Sequence, residues 1–237
     1  MNPSIESCPK ILVSKITVSR SGDWLIASFP ELYASLSWAV LGGQKEAKNV
    51  AWLRVKEKDL LPGVDSVQYL KQRLMSEMGL DALDVVGLLT SANLDEYVDI
   101  QKNHGEYEAR SIATVGLTNA LRIGDVPTAS HDVGIGTINL LCVVSHPLSY
   151  EAQLEAISLA AEARTAAVLE AHVSSPLNIL PATGTGTDCI VIASPRISGG
   201  IEGVKYAGKH TMLGSLVGSS TYEAIRLGIE RWKSRQF

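Results

Sequence analysis

Apolar and polar positions along this 237-residue chain change period several times, and each change predicts a different element. Residues 11–18 alternate loosely, 19–23 carry turn chemistry and 24–29 are apolar again, which predicts a β-hairpin ended by Pro30. Residues 36–41 predict a buried strand running into a tight Gly42-Gly43 loop, with 49–55 as its neighbour. Val67, Leu70, Leu74 and Met78 recur at helical spacing between a cap at Asp65 or Ser66 and a stop at Gly79, so 66–78 is predicted helical. A strand follows at 85–90. Residues 95–110 are polar and charged, 111–120 turn apolar and hydroxyl-rich, and the Gly/Pro/Asp-bearing stretch 124–136 reads as a surface loop.

The second half continues the alternation. Residues 137–144 predict a fully buried strand. Residues 149–173 predict a long Ala-rich helix capped by Ser149, with Leu154, Ile157, Ala161 and Val168 as its core stripe and Glu162 and Arg164 on opposite flanks. Another buried strand is expected at 188–193 and a Gly-rich loop at 198–203. A helix at 211–231 should restart where Ser220 and Glu223 show capping-box spacing. Strands followed by helices give an α/β fold: a single compact domain, 1–237, with a central mixed β-sheet flanked by helices. Ala113-Thr114-x-x-x-Thr118-Asn119 is echoed by Ala182-Thr183-x-x-x-Thr187-Asp188, which raises the prospect of two pseudo-symmetric halves around one cleft.

Composition narrows the function classes. A net charge of −4 without any run of Lys or Arg gives no electrostatic footprint for nucleic acid. No apolar run reaches the roughly 20 residues of a membrane helix, and the N-terminus lacks a signal-peptide stretch. Cys8, Cys142 and Cys189 are widely spaced, and the last two lie in apolar runs, as reduced core cysteines of a cytoplasmic protein would. A small-molecule partner is therefore expected, with neither nucleic acid nor membrane, and a homo-oligomer is left open.

Residues 182–188, Ala-Thr-Gly-Thr-Gly-Thr-Asp, crowd three hydroxyls, two glycines and a carboxylate together, which is costly without a partner. The run leads into a strand and not a helix, unlike a phosphate-cradling loop. The histidines are too scattered for a metal template, and no G-x-S-x-G elbow occurs. Asn119, Asn139 in Gly136-Thr137-Ile138-Asn139, Asp188 and the stretch Tyr206-Ala207-Gly208-Lys209-His210-Thr211 remain. His210 precedes a helix start and is the best acid/base candidate. Each has a plainer reading: turn bonds for the Thr/Gly run, a backbone-satisfied His210, a solvated Glu162, and caps or turns for both asparagines.

Five stretches, Ala113-Thr-Val-Gly-Leu-Thr-Asn119, Gly136-Thr-Ile-Asn139, Glu162-Ala-Arg-Thr-Ala166, Ala182-Thr-Gly-Thr-Gly-Thr-Asp188 and Tyr206-Ala-Gly-Lys-His-Thr211, together resemble the adenosylcobinamide amidohydrolase family. Less distinct likenesses are Leu36-Ser-x-Ala-x-Leu-Gly-Gly43 and Val86-Gly-Leu-Leu-Thr90, and residues 1–30 are least similar. Departures are Gln44, Arg164 where Lys is expected, and Cys189 where a small residue is usual.

The resemblance implies hydrolysis of the amide joining aminopropanol to the corrin side chain, with the corrinoid as substrate and no cofactor. Within the matched positions, residue type suggests Asp188 or Glu162 for water activation and His210 for leaving-group protonation. Thr185 or Thr187 would be a covalent nucleophile in an alternative route. Asn119, Asn139 and the backbone from Gly184 through Gly186 to Thr187 would face the oxyanion, with Thr118, Thr183, Tyr206 and Thr211 as further substrate contacts. Trp24, Trp38, Trp52 and Tyr206 are candidate walls, and 124–136 and 198–203 candidate lids. A non-catalytic corrinoid carrier and a hydrolase of another amide are the rival readings.

Overall fold

The computed structural model describes residues 12–126, 136–177, 179–197 and 202–235. The expected hairpin is present: Thr17–Ser21 (β1) pairs antiparallel with Trp24–Ser37 (β2) across Gly22, whose φ of 54° suits glycine. Pro30 does not end it. The register between β2 and Gly43–Arg54 (β3) slips from Ser28↔Asn49 to Tyr33↔Ala47, so Pro30 falls in an exposed bulge where its missing N–H costs no ladder bond. The strand expected at 36–41 is not separate: Leu36 and Ser37 are the end of β2. Ser37 ends β2, and the following turn is closed by Leu41, which exchanges backbone bonds of 3.0 and 3.1 Å with Gly87.

Ser66–Arg73 (α1) is capped by Asp65 Oδ1, which accepts from Val67 and Gln68 N–H, and a wider π turn continues it to Met78 before Gly79 closes it at φ 64°. Val85–Thr90 (β4) lies parallel to β3. The polar stretch 95–110 hides one strand, Val98–His104 (β5), and the start of another, Tyr107–Val115 (β6). Their polar side chains are paired: Arg110 with Asp99 across the ladder, and Lys102 with Glu223. Ala120–Leu121 (β7), Ile138–Val144 (β8), Tyr150–Glu170 (α2), Gly184–Thr185 (β9), Cys189–Pro195 (β10) and Met212–Ser234 (α3) complete the order.

Eight strands form one mixed sheet of order β4-β3-β2-β10-β8-β6-β5, with β1 on β2; β10–β8 and β3–β4 are its parallel pairs. The Pro30 bulge is its corner. Before it β2 pairs with β1 and β3, and after it with β3 and β10. Side chains alternate accordingly. Leu140, Cys142 and Ile192 meet α2 and α3; Ile26, Ala51 and Leu53 meet α1; Leu141, Val143 and Val191 share a third core with Leu25, Trp52 and Val86. The sheet is thus folded over itself, with helices outside each half. No helix among the described residues is long and apolar enough to cross a membrane.

Three expectations need correction. The buried stripe of α2 includes Ala152, Ala156, Leu159, Ala160 and Val168, while Leu154 is exposed; small apolar residues lie all round this helix, so its phase is not set by amphipathicity. Helix α3 does not restart at Ser220, which is buried and meets Ser111 Oγ at 2.9 Å. The echoing segments occupy unlike places, Ala113 inside β6 and Ala182 ahead of β9, although their ends meet where β7 pairs with β9. Cys142 and Cys189 are free and buried as expected. Cys8, and residues 127–135 and 198–201 of the two candidate lids, lie outside the described residues.

Candidate active site

The loop from β9 to β10 is organised by Asp188. Its Oδ1 accepts from Ile138 N–H (3.0 Å) and the Thr185 hydroxyl (2.5 Å), and its Oδ2 from Thr185 N–H (2.9 Å) and the Arg164 guanidinium. The carboxylate is 6 % exposed and Arg164, reaching over from α2, 16 %. Two donors on each oxygen use the acceptor capacity of a carboxylate. No lone pair remains to activate a water, so the geometry opposes the expectation of Asp188 as general base. Gly184 makes the ion pair possible: a Cβ there would overlap Asp188 Oδ2 and stand 3.0 Å from Arg164 Nη1.

Beside this hub a cleft of about 330 Å³ opens between the halves of the folded sheet. Trp38, Ala39 and Val40 from the turn after β2 line it, as do Leu88, Leu89 and Thr90 at the end of β4. The heads of β8 and β10 bring Gly136, Thr137, Asn139, Thr187, Asp188 and Cys189. Asn139 Nδ2 donates to Leu89 O (2.8 Å) and ties β8 to β4, while the Thr137 hydroxyl donates to Thr187 O (2.9 Å). The Thr187 hydroxyl makes a longer bond, 3.2 Å, to Gly136 O, and its residue is exposed. Burial pushes the Cys189 thiol up to about 11, the Asp188 charge adds to this, and a hydrogen bond with Ser37 opposes it. Cys189 thus stays a neutral thiol at pH 7.

Around the cleft, the other nominated residues separate into two groups. Asn119 lies behind Gly136, where a Cβ would come within 2.6 Å of Asn119 Oδ1, a buried acceptor with no hydrogen-bond partner among the described residues. Gly186 is beside it and exposed, and Thr118 is an exposed turn residue. Thr183 is structural in its bonding: its hydroxyl accepts from Ile123 N–H at 2.8 Å. The Thr185 hydroxyl is likewise given to Asp188.

Glu162, Tyr206, His210 and Thr211 form a different cluster. Glu162 pairs with Lys209 on the outer side of α2, with side chains 54 % and 71 % exposed. Thr211 caps α3, accepting from Gly214 N–H (3.0 Å), and His210 is exposed beside it. The loop is anchored by Glu155, which accepts from Ala207 N–H at 2.6 Å. Glu155 and Arg164 are nine residues apart on α2, about 13 Å along its axis at 1.5 Å per residue. Neither Glu162 nor His210 lines the cleft beside Asp188. Trp24 and Trp52, nominated as walls, are core residues. Thr90, Leu88, Leu89 and Val40 were not singled out as site residues. Their only signal lies in the weaker motif stretches 36–43 and 86–90, which the fold brings together at the cleft mouth.

A mixed α/β fold with a polar loop gathered at the open end of its folded sheet defines an enzyme-like domain. The chain matches the adenosylcobinamide amidohydrolase family over residues 10–237, and it belongs to that family. An uncharacterized protein of Methanocaldococcus jannaschii is 28 % identical over 177 residues, covering 65 % of this chain and 66 % of that relative, just under two thirds of its length. Among solved structures, a Pyrococcus horikoshii protein aligns at TM-score 0.43 and 12 % identity, covering 96 % of this chain and 81 % of the other. A Burkholderia beta-aminopeptidase aligns at 0.41 and 10 %, covering 92 % and 82 %.

Proposed function

We propose that the whole chain, as a cytoplasmic enzyme, hydrolyses the amide joining aminopropanol to the corrin side chain of adenosylcobinamide, releasing adenosylcobyric acid and 1-amino-2-propanol. One observation carries this reading. Four stretches on which the family resemblance rests, 36–43, 86–90, 136–139 and 182–188, come from distant parts of the chain and line one cleft. Apolar walls from Val40, Leu88 and Leu89 face the amide and hydroxyl groups of Asn139, Thr137 and Thr187, a combination suited to an aliphatic chain carrying an amide.

The chemistry is assigned to the cleft residues. A threonine hydroxyl attacks the amide carbonyl, its proton passes to the departing aminopropanol, and water then cleaves the ester to restore the hydroxyl. Thr187 is favoured because the residue is exposed and its hydroxyl is held only by a long bond to Gly136 O. Thr137 is the neighbouring choice. Asn139, which uses Nδ2 toward Leu89, and the strand-head backbone supply oxyanion donors. Asp188 holds this loop in place and takes no proton.

Incubation with adenosylcobinamide and chromatographic detection of both products tests the proposal. Equimolar adenosylcobyric acid and aminopropanol are expected, with complete cobamides and simple secondary amides turned over more slowly. Tight binding without product would replace the reading by a corrinoid carrier.

A further inference from the structure

The cleft and its only exposed tryptophan disagree in scale with a corrinoid unless the substrate binds in two parts. A volume of about 330 Å³ lies at the bottom of the roughly 300–1,000 Å³ range that encloses drug-sized ligands, so it accommodates an aliphatic amide arm and not a macrocycle. Trp38 stands at this cleft with 54 % of its surface exposed, whereas Trp24 and Trp52 are 2 % and 0 % exposed. Leaving so much indole in water forfeits apolar burial that a folded chain ordinarily takes.

Its position is nonetheless fixed. The indole N–H donates to Asp188 O at 2.8 Å, and the Asp188 side chain is held by its four donors. A large aromatic pinned by its polar edge, with its surface open, is preorganised to receive a flat apolar partner, because ordering it costs nothing further on binding.

We propose that only the aminopropanol-bearing side chain enters the cleft and that the corrin ring lies across its mouth with an apolar face on the Trp38 indole. Trp38 is then the specificity-determining residue for the macrocycle. This rests on the substrate reading given above.

The test compares wild type with Trp38→Ala and Trp38→Phe in two measurements: steady-state kinetics on adenosylcobinamide, and calorimetric Kd for adenosylcobyric acid, which keeps the ring and lacks aminopropanol. Trp38→Ala is expected to raise both KM and that Kd at least about tenfold, the scale of losing a stacked aromatic contact, with kcat within about threefold. Trp38→Phe, which keeps an aromatic face and loses the N–H, should fall between. An unchanged Kd in Trp38→Ala, or a loss confined to kcat, overturns the proposal. If wild type binds adenosylcobyric acid but releases no product, the hydrolase reading fails and the Kd series alone decides the role of Trp38. Binding of neither corrinoid by wild type overturns both. Should Trp38→Ala not fold, Trp38→Leu and Trp38→Phe are compared by Kd.

Discussion

Arg164 in α2 donates through Nη1 to Asp188 Oδ2, joining the outer helical layer to the loop that borders the cleft. The pair is substantially buried, with the remaining acceptor sites of the carboxylate filled by Ile138 and Thr185. Removing one partner from such a pair leaves an uncompensated charge and costs about 3–5 kcal/mol.

Asp188→Ala is therefore expected to lower folding stability by about 3 kcal/mol, read from urea denaturation, and to reduce turnover through displacement of the Thr185–Thr187 loop. Arg164→Met should show a related loss. The double substitution should cost less than the sum by about 1–3 kcal/mol, because the second change removes a charge already stranded by the first. Strict additivity would show that the two side chains do not act as one unit.

Gly184 is the residue that lets this pair form, since a Cβ there would overlap Asp188 Oδ2 and crowd Arg164. Gly184→Ala should destabilise by about 2 kcal/mol or more and lower activity with it. Gly186→Ala is the control: its nearest obstacle is the flexible end of Leu121, 3.2 Å away, so stability should change by less than about 1 kcal/mol. Thermal melts of both variants decide the comparison.

Much of the fold was legible where one local signal dominated. The largely apolar runs of β4 and β8, and the caps at Asp65 and Ser149, need no tertiary information. The edge strand β5 and the start of its neighbour β6 were hidden because their charged residues, paired in the fold as Arg110–Asp99 and Lys102–Glu223, read locally as polar loop. The loop 182–188 was recognisable as a site by its crowded hydroxyls. The part played by Asp188 was not, because its decisive partner is 24 residues away on a helix whose facing could not be read, and Trp38 is 150 residues away.

Cys189 gives the structure a measurable alkaline limit. Burial raises its thiol from 9.0 to about 11, so in the folded protein it stays protonated after the unfolded chain has begun to ionise. Its stabilising contribution is complete below pH 9 and is lost as pH rises from 9 toward 11, by about 2 kcal/mol for a shift of this size. Stability measured against pH should fall across that window, and Cys189→Ala should flatten part of the slope. Cys142 is displaced in the same direction by burial, so some slope should survive in that variant. An identical slope in wild type and Cys189→Ala would show that this thiol is not responsible.

Glu162 and His210 separate the geometry from the expectation based on residue type. A carboxylate and an imidazole are natural choices for amide hydrolysis, and either, if it transferred a proton in the rate-limiting step, should cost at least about 100-fold when removed. The structure instead pairs Glu162 with Lys209 on the exposed side of α2 and leaves His210 at the start of α3. Exposed pairs contribute about 0.2–1 kcal/mol, so Glu162→Gln should keep stability within about 1 kcal/mol of wild type and kcat within about threefold. His210→Ala should also keep kcat within about an order of magnitude, because its ring lies outside the cleft beside Asp188. These two variants, assayed on adenosylcobinamide beside Thr187→Ala and Thr137→Ala, locate the chemistry. Losses confined to the threonine variants place it in the cleft. A 100-fold loss in Glu162→Gln or His210→Ala would bring the loop containing Lys209 into the mechanism.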